Sequence, residues 1–422
     1  MKFNGYERIR EEVYSEKLEN GLSVFVIPKK GYNKTYAFFA TNYGGADRRF
    51  RLGGQWIYTP EGVAHFLEHK MFDTPEGNAL TILSSAGASP NAFTSSNITA
   101  YHFECTDKFE ENLKTLLGFV SVPYFTEESV EKEQGIIGQE IRMTEDEPEY
   151  VVYYNLMKAL FRHNPIRYSV AGTVESIAEI SADTLNSCHK VFYNPSNMVL
   201  CVVGDVSPES VVSIARDILP REAGEVPQRD YGPEETLFPE EMLREEKMEI
   251  SLPLFFTGSK VNCVQRSQEK LRQELTGQLA LEVLAGRSSP LYTKLYNGGL
   301  INSDFAAAFE SAAKVAYVLF GGESRDPGAV KTEIEREAEN ISKNGLDKQY
   351  FDRVKKAMLG SELRGLNYFS NICYNYAKGY FSGYDAFESV EILDSITIED
   401  IREFISCNIS ADKMALSVIM PR

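Results

Sequence analysis

Two of the chain's 5 histidines stand four residues apart in "EGVAHFLEHKMFD", residues 61–73, with a glutamate directly before the second. In a helix, positions i and i+4 share one face, so His65 and His69 would aim their imidazoles at a common point. Two imidazoles so placed suit a tetrahedral Zn²⁺, whose bonds to histidine nitrogen run to about 2.0–2.1 Å. Glu68 lies near the same face and is too close to His69 in sequence to be an easy third ligand. It is placed instead to take a proton from water that the metal has activated. The spacing H-x-x-E-H reverses the commoner H-E-x-x-H and performs the same chemistry. A lone histidine is more often a core or surface residue than a ligand, and it is the complete pattern that carries the metal reading.

A catalytic zinc also needs a third protein ligand and an open fourth position. His102 is one candidate, on the face of its strand opposite Tyr101 and Phe103. His163 in "FRHNP" and His189 in "SCHKVF" are others, both in solvated-looking surroundings. The helix-like run "EESVEKEQGIIGQEIRMTEDE" offers better ones, because Glu133 and Glu140 are seven residues apart and so share a face two turns along. Most charged residues on such a helix simply face solvent, and periodicity alone leaves the third ligand open. Gly135 and Gly138 between them each cost roughly 1 kcal/mol relative to alanine, which predicts the close approach of another backbone.

The elements that must position these residues are readable in outline. At 422 residues and 47.5 kDa the chain exceeds the ~250–300 residues that one core serves, so two domains are expected. Residues 220–247, "PREAGEVPQRDYGPEETLFPEEMLREEK", are rich in proline and acidic residues and read as a linker between residues 1–219 and 248–422. The ends of the two parts align without gaps at an offset of 216 residues: Ile180 falls over Ile396, and Met198, Leu200 and Val202 over Met414, Leu416 and Val418. Each copy reads as an amphipathic helix, a turn and a closing apolar strand, the mark of a duplicated unit. "LSVFVIPK", "TYAFFATNYGG" and "NITAYHFECT" read as strands; residues 61–72, 78–86, 107–120, 127–147 and 150–161 read as helices. Strands come in runs instead of alternating with helices, which predicts an α+β fold with mainly antiparallel sheets packed with helices.

A net charge of −17 argues against a nucleic-acid binder, which needs a basic face, and against an anionic membrane surface. The first thirty residues carry no secretory pattern and no segment approaches the roughly 18 apolar residues of a membrane helix, so the cytoplasm is the expected address. Cys105, Cys188, Cys201, Cys263, Cys373 and Cys407 are scattered singly, as small buried hydrophobes are in a reducing compartment.

Three blocks in order, "GVAHFLEHKMF", "SSAGASPNAFTSSNITAYHFEC" and "VEKEQGIIGQEIRM", resemble the pitrilysin-type metallopeptidases with the inverted zinc motif, and length and flavour are closest to the short bacterial YmfH-type members. The resemblance implies one Zn²⁺ per chain held by His65, His69 and Glu140, with Glu68 as general base and Glu133 supporting the site. It also implies that Asn91, Ala92, Phe93 and Thr94, "NAFT", form an edge strand on which substrate is laid as an added β-strand, a mode whose main-chain bonds tolerate many sequences. It implies two homologous domains, each contributing to half a clamshell, the second without zinc because all 5 histidines precede residue 190. It implies a peptide substrate and a two-chain assembly, either a homodimer or a pair with a zinc-less relative. The second half departs from the family pattern: Arg364 comes early, Asn371 stands where an arginine is expected, and Tyr380 is left as the candidate for the substrate-gripping tyrosine. The expected activity is that of a zinc endopeptidase; the competing readings are a non-catalytic or partner-dependent scaffold subunit and a hydrolase of a non-peptide substrate.

Overall fold

Short apolar runs become the inner strands of two sheets, and the amphipathic runs between them become helices laid against those sheets. The computed structural model describes residues 1–422. Its first sheet contains β1 (Lys2–Tyr6), β2 (Glu11–Lys17), β3 (Ser23–Pro28), β4 (Thr35–Thr41), β5 (Ala88–Thr94), β6 (Thr99–Cys105) and β7 (Met198–Gly204), in the order β1-β2-β3-β7-β4-β6-β5. Only β7 against β3 is parallel. β4 and β7 are buried at every residue, as their unbroken apolar runs require of strands covered on both faces.

One face of this sheet carries α1 (Val63–Lys70), α2 (Phe109–Ser121) and α3 (Glu127–Glu145) over a core that includes Phe66, Leu67, Tyr101, Leu116 and Ile137. α4 (Pro148–Leu160) follows, and α5 (Ala182–Phe192) returns to the same core through Leu185 and Phe192. The second sheet contains β8 (Leu243–Met248), β9 (Leu254–Val261), β10 (Ala306–Ala312), β11 (Val315–Glu323) and β12 (Ala415–Pro421), ordered β8-β12-β9-β11-β10. α6 (Gln268–Ala285) packs on this sheet, α7 (Phe369–Ser382) does not join it, and α8 (Ile398–Asn408) leads into β12.

The duplication read from the chain ends is repeated in topology. β12 is parallel to β8 and antiparallel to β9, as β7 is parallel to β3 and antiparallel to β4. The order β8-β12-β9-β11-β10 thus matches β3-β7-β4-β6-β5 strand for strand, and β5 and β10 are the corresponding edges.

The two compact units are interleaved along the chain. One comprises residues 1–141, 169–231 and 364–381, the other residues 142–168, 232–363 and 382–422. α4, from the first half, packs in the second unit, while α7, from the second half, lies on the open face of the first sheet. There the rings of Tyr376 and Tyr380 approach Phe25 to 5.4 and 5.7 Å, and the Ser23 hydroxyl donates to Tyr380 at 3.0 Å. A division at one point in the sequence could not express this exchange, because the apolar faces of α4 and α7 do not say which sheet they cover.

The proline-rich stretch 220–247 differs from a free linker. Residues 243–248 form the edge strand β8, which is mostly exposed and so tolerates charged residues. Arg229 and Tyr231 bind buried Asp47 at 2.9 and 2.8 Å, Arg229 by an ion pair and Tyr231 by donating its hydroxyl proton. Glu235 accepts the backbone N–H groups of Arg162, His163 and Asn164 at 3.1, 2.6 and 2.8 Å. Burial would raise the Glu235 pKa, but these three bonds and Lys260 outweigh it and hold it below the ordinary value.

Gly135 also departs from expectation. A Cβ built on it meets no atom within 4 Å, so no backbone approaches closely there. Its cost in the helix is uncompensated, and Gly135→Ala is expected to stabilise the protein by about 0.5–1 kcal/mol in urea denaturation without moving the helix.

Candidate metal centre

α1 separates its residues by face. Val63, Ala64, Phe66, Leu67 and Lys70 are buried against the sheet, which leaves His65, Glu68 and His69 on the outer side. The helix starts at Gly62, whose φ of +90° and whose separation of only 2.5 Å between an added Cβ and the Ala171 carbonyl oxygen leave room for no other residue. α3 lies alongside, fixed by Val130, Ile137 and Ile141 in the core and by the Gln134 amide donating to the Ile180 carbonyl at 3.0 Å.

Across these two helices the expected donor atoms converge. His65 Nε2 lies 3.5 Å from Glu140 Oε1, and His69 Nε2 lies 3.6 Å from Glu140 Oε2. One ligand atom from each of the three residues falls within 4.8 Å of the others. Such distances are too long for good hydrogen bonds. The two distances from histidine to Glu140 match the roughly 3.3–3.6 Å between donors that each stand about 2.0–2.2 Å from a tetrahedral zinc, and the set as a whole is somewhat wider. The donor set, two imidazoles and a carboxylate, is also one that catalytic zinc takes, so the residues present fit the metal.

The second carboxylate of α3 does a different job. Glu133 Oε1 is 3.1 Å from His69 Nδ1. With its proton on Nδ1 and directed to Glu133, His69 keeps the lone pair of Nε2 free for a metal. Burial disfavours the charged form of His69, but Glu133, Glu68 and Glu140 together outweigh it and its pKa is raised. His65 has no such partner; its Nδ1 is buried without a hydrogen bond, and burial together with His69 lowers its pKa to about 3.

Glu68 is largely buried, which raises its pKa and makes it a stronger base than a surface carboxylate; the Thr94 hydroxyl and His69 oppose the shift and Glu140 adds to it. Thr94 donates to Glu68 Oε2 at 2.9 Å. Sequence reasoning places Thr94 only in a substrate-binding strand and gives no sign of this bond, which depends on β5 passing beside α1. β5 ends the sheet, and its outer edge pairs with no other strand among the described residues. Along it, Ala92 and Thr94 turn toward the core side and Phe93 toward the opposite side, where its ring lies 6.0 Å from that of Tyr374. The Asn91 side-chain oxygen accepts the Ala92 N–H at 2.9 Å.

The other candidates do not reach the centre. His102 faces the far side of the sheet, stacked on Tyr36 and Phe38 at 5.4 and 6.0 Å, and burial alone lowers its pKa to about 4. Tyr380 lies on that far face as well, against Phe25. His163 is exposed in the second unit. His189 is buried in α5 with Nε2 3.1 Å from the Val120 carbonyl, and burial lowers its pKa to about 4 despite that bond.

His189 therefore links stability to pH. Its folded pKa lies below the ordinary 6.5, so the stability it contributes is complete above pH 6.5 and is lost as pH falls toward about 4. The loss amounts to about 3 kcal/mol. Urea denaturation between pH 7 and 4 is expected to show this slope, and His189→Gln to flatten it; an unchanged slope would refute the assignment.

Comparison with known proteins gives the family. A family model described as Insulinase (Peptidase family M16) matches residues 59–174, which hold the whole centre, and one described as Peptidase M16 inactive domain matches residues 179–358. The uncharacterized zinc protease YmfH of Bacillus subtilis is 38% identical over 428 residues, spanning 99% of this chain and 98% of that protein. Mitochondrial-processing peptidase subunit beta of Caenorhabditis elegans is 30% identical over 36% of this chain and 35% of its own length. A crystal structure of an M16-like peptidase from Alicyclobacillus acidocaldarius superposes with a TM-score of 0.93 at 31% identity, covering 98% of this chain and 99% of that one. The near-complete match to YmfH and the two consecutive family segments place the chain in peptidase family M16, the pitrilysin-type group, as a YmfH-like member.

Proposed function

We propose that this chain is a zinc-dependent endopeptidase that hydrolyses peptides or unfolded segments laid along β5, with His65, His69 and Glu140 as zinc ligands and Glu68 as general base. The observation that carries the reading is the convergence of three ligand atoms within 4.8 Å beside a buried carboxylate and an unpaired strand edge. Zinc, when bound, supplies a Lewis acid that acidifies water and polarises a scissile carbonyl. Glu68 takes the proton of the attacking water through the oxygen that Thr94 does not hold, and later delivers it to the departing amine nitrogen. Glu133 keeps the His69 imidazole in the tautomer that presents Nε2. The edge of β5 orients an extended peptide by main-chain hydrogen bonds, and the Asn91 side chain gives up the Ala92 N–H as the peptide arrives.

The second reading is a partner-dependent subunit. It draws on the family segment described as an inactive domain, and on one relative whose name makes it a subunit of a larger assembly. In this reading the chain holds zinc and completes its substrate site only as a homodimer or beside a zinc-less relative. Elemental analysis of the purified chain, with cleavage of a quenched peptide library in the presence and absence of chelator, separates the two. About one zinc per chain with chelator-sensitive cleavage supports the self-sufficient peptidase. Zinc without cleavage favours the partner-dependent subunit, and a chain that takes up no zinc sinks both. No helix of the described residues is long and apolar enough to cross a membrane.

A further inference from the structure

The geometry points to Thr94 as the residue that positions the base Glu68, a role that rests on Glu68 being the base. Thr94 ends β5 and stands opposite Thr99 of β6. Its hydroxyl donates to Glu68 Oε2 at 2.9 Å and lies 3.4 Å from the Thr99 hydroxyl. Each hydroxyl has one proton to give, so the direction of these bonds decides whether Glu68 always receives one.

The surroundings fix that direction. Thr99, fully buried, approaches the Tyr43 carbonyl at 2.9 Å, closer than it approaches Thr94, and a carbonyl can only accept. The Thr99 proton is therefore committed. Of the two acceptors near the Thr94 hydroxyl, the Glu68 carboxylate at 2.9 Å is both nearer and stronger than the Thr99 hydroxyl at 3.4 Å, so the proton of Thr94 goes to Glu68.

Two consequences follow for the chemistry. One carboxylate oxygen of Glu68 is held and the other is left for water, so the base keeps a single orientation. In addition, Thr94 sits on the strand whose edge receives the peptide, so one rigid element sets both the base and the substrate backbone. Small displacements between a base and a reacting carbonyl are costly to rate, which is what such an arrangement prevents.

The test uses Thr94→Val and Thr94→Ser in the full chain. Valine keeps the β-branched shape and loses the donor; serine keeps the donor. Thr94→Val is expected to retain its zinc and a KM within about twofold of wild type, with kcat lowered about 10- to 100-fold, and Thr94→Ser to recover most of the loss. In crystals of Thr94→Val the Glu68 carboxylate is expected to leave the position it holds in the wild-type chain. An unchanged kcat, a serine variant as slow as the valine one, or a rise in KM alone would overturn the proposal. A wild-type chain that binds zinc and cleaves nothing would remove the proposed activity instead. The crystallographic position of Glu68 would then still decide whether Thr94 places it, and an unmoved carboxylate would refute that.

Discussion

Glu68→Gln is expected to keep its zinc and lose its turnover. Glutamine has the same shape and retains an acceptor for the Thr94 proton, so the bond at 2.9 Å and the packing around α1 should survive. Glutamine lacks the capacity to take a proton from water and return it to an amine. General base catalysis contributes about 10²–10⁴-fold, and the loss in kcat should fall in that range or beyond it. Zinc content by elemental analysis should match wild type, because neither carboxylate oxygen of Glu68 is among the converging donors. A Glu68→Gln chain that cleaved at the wild-type rate would end the assignment, whereas one that lost its zinc would mean that Glu68 helps to hold the metal.

His65→Gln should have the opposite signature: no zinc and no cleavage. The wild-type imidazole makes no hydrogen bond through Nδ1, and its Nε2 faces Glu140 at 3.5 Å, too far for a strong bond. Its position is thus explained by a metal and by little else. Zinc should fall from about one per chain to a trace, and cleavage should fall at least as far as in the chelated wild-type chain. The metal-free forms of the two proteins should differ in unfolding free energy by no more than about 1 kcal/mol, since the substitution removes no strong hydrogen bond of the metal-free fold and only an edge-on ring contact with His69 at 4.6 Å. A His65→Gln chain with full zinc would refute the ligand set directly. A chain that lost several kcal/mol without metal would instead give His65 a structural role.

The two substitutions answer different questions, and together they distinguish a peptidase from a scaffold that merely binds zinc. If His65→Gln loses the metal while Glu68→Gln and wild type are equally inactive, the partner-dependent reading gains, and the next experiment is to supply the second chain. The proposed positioning role of Thr94 can be read in either case, because it is also visible in where the Glu68 carboxylate rests.

What the sequence determined was whatever depends on local period. His65, Glu68 and His69 lie on one face of α1 because residues three and four apart stack in any helix, and the apolar residues between them must face the core. The pairing of Glu133 with Glu140 follows from the same rule, and so does the repeated helix, turn and strand that ends each half. Period also tells that His102 points away from Tyr101 and Phe103, but not which of those two faces carries α1; only the packed sheet shows that the far face holds His102 and α7. The same limit explains why the exchange of α4 and α7 is invisible in the sequence, and why the acidic stretch before β8 gives no sign of being tied down by Asp47 and Asn164. An amphipathic face announces that it will be buried, and a charge that it wants a counterpart, but neither names the partner. Contacts between residues far apart in sequence, such as Thr94 with Glu68 or Glu133 with His69, are decided only when tertiary packing brings the strands and helices together.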